Sequence, residues 1–270
     1  MQLVIEPGLA SANYWRDVWR YRELMYFLAW RDLAVRYKQT VIGVAWALLR
    51  PALTMLVFVL FRRLMGAERS AVPDVVFVLA AVLPWQFFSS ALSESASSLI
   101  VNTNLIAKVY FPRLIVPAAA IATALVDFAI TVALLAVVMA WQGVTPSWTL
   151  AALPLFLLLA LALAMGIGLL LAALNVRYRD FRYVVPFIVQ VGLFVSPIAF
   201  SSENVPARWQ PLYVMNPLAG IIDGFRWSIL GGRTPIDPTS LATSVAITLI
   251  VLAIGVAYFR RTERSLADVI

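Results

Sequence analysis

Long apolar stretches separated by short polar segments make up most of the chain after residue 40. A helix needs about 20 mainly apolar residues to cross a hydrocarbon layer of about 30 Å. The pattern therefore predicts an all-α integral membrane protein with six spanning helices, namely Val41–Phe61, Val75–Ser95, Leu114–Ala140, Thr149–Leu174, Tyr183–Phe200 and Leu241–Phe259.

The longest uncharged stretch, Phe128–Val176, must contain a turn. As one straight helix it would be about 74 Å long, more than twice the hydrocarbon thickness. Within it, Trp141–Trp148 contains Gly143 and Pro146, and a Trp stands at each end. Gly and Pro favour turns, and Trp favours the membrane interface. We therefore predict that the third and fourth spans form a helical hairpin.

The N-terminal segment, residues 1–40, has a different pattern. Apolar side chains recur there at helical spacing, with charged residues on the opposite face; the apolar positions are Tyr14, Val18, Tyr21, Met25 and Leu28. This predicts an amphipathic helix that lies along the membrane interface, with Trp15, Trp19 and Trp30 as headgroup anchors. The alternative is that the helix packs against the bundle as a cap.

The segment between the fifth and sixth predicted spans, residues 201–238, is rich in Pro and Gly. In its second half Asn216 can cap a helix, Pro217 suits the first helical position, and Gly231 and Gly232 suit its end. A helix of about 14 residues reaches only about 21 Å, too short to cross. We expect it to insert part way, after a shorter helix around Val205–Tyr213; the alternative is an interfacial linker.

Composition narrows the function classes. Apolar residues make up 62% of the 270 residues, charged residues 13%, and mean hydropathy is +0.88, which leaves no room for a large soluble domain. The absence of Cys and His excludes thiol nucleophiles, imidazole bases and the usual metal ligands. No G-x-x-x-x-G-K-[ST] motif occurs, so ATP-driven transport would need an ATPase on another polypeptide.

Charge predicts the orientation. The net charge is +7, and 14 of the 21 Lys and Arg fall in segments that six spans would place on the same side as the N-terminus. Because cytoplasmic loops carry the excess of Lys and Arg, both termini are expected in the cytoplasm. Arg62 and Arg63 run against this distribution.

Few ionisable side chains lie inside the predicted spans. Asp127 is near the middle of the third, while Arg50 and Glu94 are near span ends. Charged groups in lipid are costly and face the interior of a bundle or water, so Asp127 is either a partner in a structural pair or part of a transport path. Several aromatic side chains also fall inside spans, where they pack between helices or face a channel.

Several short strings occur together in a specific order. They are Arg31–Gly43, Trp46–Pro51, Asn104–Arg113, Asn175–Phe181, Ser196–Pro197 and Asn216–Pro217. Together they resemble the ABC-2 type polysaccharide export permeases, in particular those for O-antigen, capsule and teichoic-acid polymers. The resemblance extends from about Trp30 to Phe259. It offers no counterpart for the pair Arg62 and Arg63.

The resemblance implies a homodimer in the bacterial inner membrane, with two copies of a separate ATPase that carries ATP and magnesium. The chain itself would hold no cofactor or metal and would bind membrane lipid and an undecaprenyl-linked polysaccharide, not nucleic acid. Residues 41–259 would form the transmembrane domain, with coupling loops at 101–113 and 175–182 and an outer gate at 201–238. Residues 260–270 would be a cytoplasmic tail.

The resemblance also distributes candidate residues among three sites. Contact with the ATPase is expected from the two coupling loops, at Asn104, Lys108, Tyr110, Phe111, Tyr178, Arg179 and Asp180. The substrate path is expected to include Trp46, Arg50, Trp85, Phe88, Asp127 and Phe194. The outer gate is expected to include Trp209, Tyr213, Asp223, Arg226 and Trp227.

The predicted function is thus a non-enzymatic permease subunit that exports a lipid-linked polysaccharide, with O-antigen as the expected polymer. One alternative is an ABC-2 permease for a small drug-like or lipid substrate. Another is an ion-coupled secondary transporter, which is expected to show an internal repeat and several buried acids. A membrane-embedded transferase fits least, because there is no His and few paired carboxylates.

Overall fold

The computed structural model describes residues 14–38, 41–65, 72–178 and 180–263, and all regular elements in these ranges are helical. They are α1 (Tyr14–Arg20), α2 (Arg22–Lys38), α3 (Val41–Leu64), α4 (Asp74–Val101), α5 (Thr103–Lys108), α6 (Ile115–Trp141), α7 (Leu153–Arg177), α8 (Phe181–Val195), α9 (Gln210–Val214), α10 (Pro217–Ile229) and α11 (Pro238–Glu263), with 3₁₀ turns at Trp148–Ala152 and Ser202–Asn204.

The predicted fold class is confirmed, because five helices are long and apolar enough to cross a membrane. These are α3, α4, α6, α7 with its preceding 3₁₀ turn, and α11. The fifth predicted span is shorter than expected: α8 has 15 residues, about 22 Å, and ends at Val195 rather than Phe200. Pro197 disfavours helical backbone at Ser196, which is extended (ψ 150°). A sixth crossing stays a prediction.

Local sequence signals correctly predicted the α6–α7 turn and both ends of α10. The predicted hairpin forms between α6 and α7, with Gly143 at φ 67° two residues after the end of α6. Asn216 caps α10, since its side-chain oxygen accepts a hydrogen bond from the backbone N–H of Leu218 at 3.1 Å. Gly231 and Gly232 follow the end of α10 at φ 69° and 77°, a backbone conformation that suits glycine.

Helix α4 is the central element. It packs against α3, α6, α7, α8 and α10, and most of its side chains are buried. Rings from three other helices extend this core: Phe128 lies 5.6 Å from Phe87 of α4 and 6.1 Å from Phe225 of α10, and Phe225 lies 6.5 Å from Phe156 of α7. The short helix α10 is thus enclosed by protein, as expected for short helical segments at membrane depth.

Within the N-terminal segment, residues 14–38 form two helices, α1 and α2, that pack against one end of the bundle. Leu28 and Ala29 are buried in a cluster with Leu99, Phe111 and Phe259. The apolar face of these helices therefore packs against the bundle, as in the cap alternative. Trp15, Trp19 and Trp30 lie on the other face and are all more than half exposed.

The two ends of the bundle are named as follows. The proximal end contains α1, α5 and the last turn of α11. The distal end, opposite to it, contains the α6–α7 turn and residues 196–238.

Two glycines allow α7 and α11 to cross closely. A Cβ atom added at Gly255 would lie 2.1 Å from the carbonyl oxygen of Gly166, and one added at Gly166 would lie 2.7 Å from the backbone of Leu252. Such small-residue contacts allow helix backbones to approach each other in membranes. The obstructing atoms belong to the backbone, so they have little freedom to move aside.

We expect Gly255→Ala to force α7 and α11 apart and to lower the free energy of unfolding by about 1–3 kcal/mol, the usual effect of overpacking. Thermal unfolding of the purified protein in detergent measures this. Ala257→Val, which adds two carbons at an exposed position of the same helix, is the control and should unfold as the wild type does. Equal unfolding temperatures for both variants would contradict the close crossing.

Candidate functional site

An open cleft of about 440 Å³ lies between α2, α3, α4 and α6. It is lined by aromatic and polar side chains, with Arg36, Arg50, Glu94 and Asp127 as its charged members; the others are Tyr37, Trp46, Ala47, Pro51, Gln86, Phe87, Ser90, Phe128 and Thr131. Two positive and two negative charges make the cleft neutral overall. An exposed Trp ring with neighbouring polar groups is an arrangement that can bind a ring with polar substituents.

A charge cluster forms one wall of the cleft. The guanidinium of Arg36 donates to Asp127 Oδ2 at 2.6 Å and to Glu94 Oε1 at 2.6 Å. The Tyr37 hydroxyl donates to Asp127 Oδ1, and the Thr123 hydroxyl donates to Glu94 Oε2 at 2.6 Å. The end of α2 is thereby attached to both α4 and α6.

The protonation of the α2 residues follows from this cluster. Burial disfavours the charged form of Arg36, but Glu94 and Asp127 outweigh it and raise the pKa of Arg36. Burial also raises the pKa of Tyr37, and its hydrogen bond to Asp127 acts in the same direction. At neutral pH, Arg36 is therefore a cation and Tyr37 a neutral donor.

The residues predicted to form a substrate path do not share one surface. Trp46, Arg50 and Asp127 line the cleft. Trp85 and Phe88 are instead buried, at 4% and 3% exposure, because α4 is surrounded by other helices. Trp85 packs against Gly192 of α8, where an added Cβ would lie 2.8 Å from its ring.

Phe194 is far more exposed than the α4 aromatics, at 69%, on α8. Phe194 is not among the residues that line the cleft. For these three aromatic residues, a role in the substrate path stays a prediction, and in the single chain Trp85 and Phe88 serve the core.

A second cluster, at the distal end, surrounds the ring of Phe77. The guanidinium carbons of Arg226 and Arg62 lie 3.9 Å and 4.2 Å from the ring centroid. Arg226 also donates to the carbonyl oxygens of Ile198 at 2.9 Å and Phe200 at 3.0 Å. We call Arg62, Phe77 and Arg226 the arginine–phenylalanine cluster. It binds the irregular backbone that follows α8, whose carbonyls lack helical partners.

Arg62 is the member of this cluster that the sequence did not explain. It is only 8% exposed, its Nε donates to Asp74 Oδ1 at 2.9 Å, and its Nη1 lies 3.5 Å from the carbonyl oxygen of Ala199. In the sequence, a partner for Arg62 is indicated by Asp74, an acid twelve residues further on at the start of α4. Arg63 is 67% exposed and lies 3.8 Å from Asp74.

The other predicted outer-gate residues divide into two groups. Tyr213 lies 2.9 Å from the Ser202 hydroxyl, which also donates to Asp223, so these join α9 to α10. Burial raises the pKa of Asp223 and lowers that of Arg226 to about 10, which leaves the guanidinium charged at neutral pH.

The second group consists of the two Trp residues. Trp227 packs edge-on against Trp148, with 6.1 Å between the ring centroids, and Trp209 lies on the surface, 52% exposed.

The predicted coupling loops lie at the proximal end. Asn104, Lys108 and Tyr110 are exposed, Tyr110 at 73%. Phe111 differs, because it is 5% exposed and packs inside the cluster that holds α2. In the described structure it therefore anchors the loop from within, and a direct contact with another protein stays a prediction.

The second loop is also accessible. Tyr178 is 48% exposed, Asp180 is exposed, and Tyr178 lies 6.3 Å from the ring of Phe181. Arg179 lies outside the described residues.

Besides the role of Arg62, sequence reasoning missed partners that come from far along the chain. It did not assign Arg36 and Tyr37 as partners of Asp127, 91 and 90 residues away. It did not find the pairing of Arg113 with Glu263, 150 residues apart. A solitary acid in an apolar helix indicates that a cation is nearby, but the sequence does not say which one.

Comparison with known proteins gives consistent results over most of the chain. Residues 23–230 match the family described as ABC-2 type transporter. The chain is 27% identical over 252 residues to the O-antigen export system permease protein RfbA of Myxococcus xanthus, which covers 92% of this chain and 96% of the relative. An RfbA of Klebsiella pneumoniae is 26% identical over 251 residues, with 92% and 95% coverage. The polysialic acid transport protein KpsM of Escherichia coli is 22% identical over 251 residues, with 87% and 92% coverage.

Proposed function

The chain belongs to the ABC-2 type transporter family, and from that premise we propose that it is the membrane permease of an ATP-driven exporter of lipid-linked polysaccharide. The observation that carries the proposal is the similarity, over about nine tenths of both chains, to proteins named for O-antigen export. KpsM, named for polysialic acid transport, is another relative named for a glycan polymer. O-antigen linked to undecaprenyl is the proposed cargo.

The proposed assembly contains two copies of the chain and two copies of a partner ATPase in the bacterial inner membrane. The partner binds ATP and magnesium, and the proximal end faces the cytoplasm with both termini. The excess of Lys and Arg on that side supports this orientation. The exposed side chains of Tyr110 and Tyr178 support a contact surface there, because Tyr is enriched among the residues that anchor interfaces, and Lys108 adds a positive charge that an acidic partner surface would complement.

The cleft is the proposed entrance of the glycan. Trp46 is 61% exposed at its rim, and Arg50, Gln86 and Ser90 supply polar groups beside it. A sugar ring has apolar C–H faces that pack on an aromatic plane and hydroxyls that bond to polar side chains. A long polymer must pass many such contacts, so weak and repeated binding suits its movement better than one tight site.

The distal segment that contains Tyr213, Asp223, Arg226 and Trp227 is the proposed outer gate. Side-chain hydrogen bonds join α9 to α10, and Arg226 of α10 donates to the backbone that follows α8. Helix α10 is packed in the core and would move as a unit, whereas α9 has no buried side chain and can change its arrangement more readily.

Deletion of the gene in its bacterium tests the proposal. We expect the polymer to disappear from the cell surface and to accumulate inside as the lipid-linked form, with drug sensitivity unchanged and with recovery when the wild-type gene returns. Normal surface polysaccharide together with increased drug sensitivity would favour the alternative, a permease for small molecules. Transport driven by a pH gradient without any ATPase would indicate a secondary transporter.

The exposed part of the first coupling loop provides a sharper test. We expect Lys108→Ala with Tyr110→Ala to lower ATP-driven glycan export by about fivefold or more in proteoliposomes, because the loss of a tyrosine anchor alone typically costs more than about 1 kcal/mol. Phe111 is left unchanged because its side chain is buried. Arg63→Ala removes a 67% exposed cation at the distal end, outside the proposed gate, and serves as the control. Unchanged hydrolysis and export in the double variant would exclude this loop as the coupling element.

A further inference from the structure

The last turn of α11 is attached to the end of the first coupling loop. The Glu263 carboxylate accepts a hydrogen bond from the backbone N–H of Arg113 at 2.6 Å, and the Arg113 guanidinium donates to the backbone carbonyl oxygen of Glu263. The guanidinium of Arg260, one turn earlier, lies 4.8 Å from the ring centroid of Tyr14 in α1. We call Tyr14, Arg113, Arg260 and Glu263 the proximal junction.

Apolar packing supports the same attachment. Phe259 is fully buried, in the cluster that also contains Phe111 of the loop and Leu28 of α2. The reciprocal hydrogen bonds thus stand beside a shared core, and residues 111–113 cannot move far from α11 unless both are broken. Interiors packed in this way transmit displacement rather than absorb it.

The other end of α11 is attached to the distal helices. The Thr243 hydroxyl donates to the backbone carbonyl oxygen of Val214, at the end of α9, at 3.1 Å. A Cβ added at Gly220 of α10 would lie 2.5 Å from the Ser244 hydroxyl and 2.9 Å from the carbonyl of Ser240. Helix α11 has 26 residues without an internal Pro, and the 20 residues from Thr243 to Glu263 place these two attachments about 30 Å apart.

We propose that α11 is the mechanical link between the ATPase and the outer gate, and that Glu263 and Arg113 are the positioning residues that make it follow the first coupling loop. The inference rests on the proposed function. A displacement of the loop by the partner moves the last turn of α11 with it, and the rigid helix shifts α9 and α10 at the distal end. Coupling of this kind needs two attached ends and a stiff element between them.

The absence of native cysteine makes a direct test possible. Arg113→Cys with Glu263→Cys removes both side-chain contacts, and a short reducible bis-methanethiosulfonate crosslinker then joins the two thiols again. In proteoliposomes with the ATPase, we expect the unlinked variant to lose about tenfold in export, within the usual range of coupling free energies, while it still hydrolyses ATP. Crosslinking should restore export, and reduction should abolish it again.

Two single variants control for charge and for folding. Glu263→Gln keeps an acceptor oxygen for the Arg113 N–H and should export as the wild type does. Arg261→Ala removes an exposed cation from the same turn of α11 and should also export normally. Normal export by the unlinked double-cysteine variant overturns the proposal, and so does a crosslinked form that stays inactive.

The distal end provides a second readout, which a merely structural role would not change. In Val214→Cys, ATP should alter the rate of maleimide labelling when the proximal junction is intact, and it should have no effect when Arg113 and Glu263 are both alanine. A persistent ATP effect without the junction overturns the inference alone. A wild-type complex with no ATP-driven export overturns the proposed function, and the inference with it.

Discussion

Replacing Arg226 with methionine is expected to lower the free energy of unfolding by about 3–5 kcal/mol, the typical cost of removing one partner from a buried ionic network. Methionine matches much of the volume but leaves the carbonyl oxygens of Ile198 and Phe200 without their donors in the protein interior. It also leaves Asp223, 3.8 Å from the guanidinium, without its nearest cation.

Unfolding of the purified variant in mixed detergent measures this effect, with Arg63→Met as the matched control. Arg63 is 67% exposed, and its guanidinium lies 3.8 Å from Asp74, too far for a hydrogen bond. Its loss should therefore change stability by less than about 1 kcal/mol. Arg226→Lys should recover only part of the loss, because an ammonium can neither bind two carbonyls as a planar fork nor stack flat on Phe77. Wild-type stability of Arg226→Met would show that the arginine–phenylalanine cluster does not hold residues 198–200.

The sequence predicted correctly those features that depend on neighbouring residues. The α6–α7 turn and the start of α10 follow from glycine and proline positions and from the Asn216 side chain, all within a few residues of the backbone they control. The predicted end of the fifth span, at Phe200, was wrong for a different reason. Residues 196–200 are apolar enough to continue a span, but Pro197 stops the helix, and Arg62 and Arg226 satisfy the freed carbonyls from far along the chain.

Which neighbours a helix face meets was harder to predict than where the helix begins and ends. The first part of helix α4, residues 75–85, is apolar around its whole circumference, so its sequence does not show which face meets protein, lipid or a channel. Further along α4, Gln86, Ser90 and Glu94 recur at fourfold spacing, and this is the face that lines the cleft. Trp85 and Phe88 were therefore assigned to a path although neighbouring helices bury them. The partner of Asp127 was hard to predict for a similar reason. An acid inside a span indicates that a cation is nearby, but it does not indicate which helix supplies that cation.

The Arg36–Asp127 pair leads to the second large expected effect, a loss of export in Asp127→Ala. Without the carboxylate, Tyr37 loses its acceptor and Arg36 keeps only Glu94, so the end of α2 is held at one helix instead of two. Arg36 is 37% exposed and Asp127 28%, and partial exposure weakens the pair relative to a buried one. We therefore expect a loss of about 2 kcal/mol in stability, below the range for fully buried pairs, and a fall in export of at least about tenfold.

Exchanging the two charges distinguishes attachment of α2 from a proton-transfer role of Asp127. Arg36→Glu and Asp127→Arg should each reduce export at least as much as Asp127→Ala, because each places like charges together in the cleft wall. The double variant restores an opposite-charge pair between positions 36 and 127, but Glu at position 36 then lies beside Glu94, and the Tyr37 hydroxyl has lost its carboxylate acceptor. We therefore expect it to export more than either single variant in proteoliposomes with the ATPase, and less than the wild type. If the double variant is no better than the worse single variant, opposite charges at positions 36 and 127 are not what supports export.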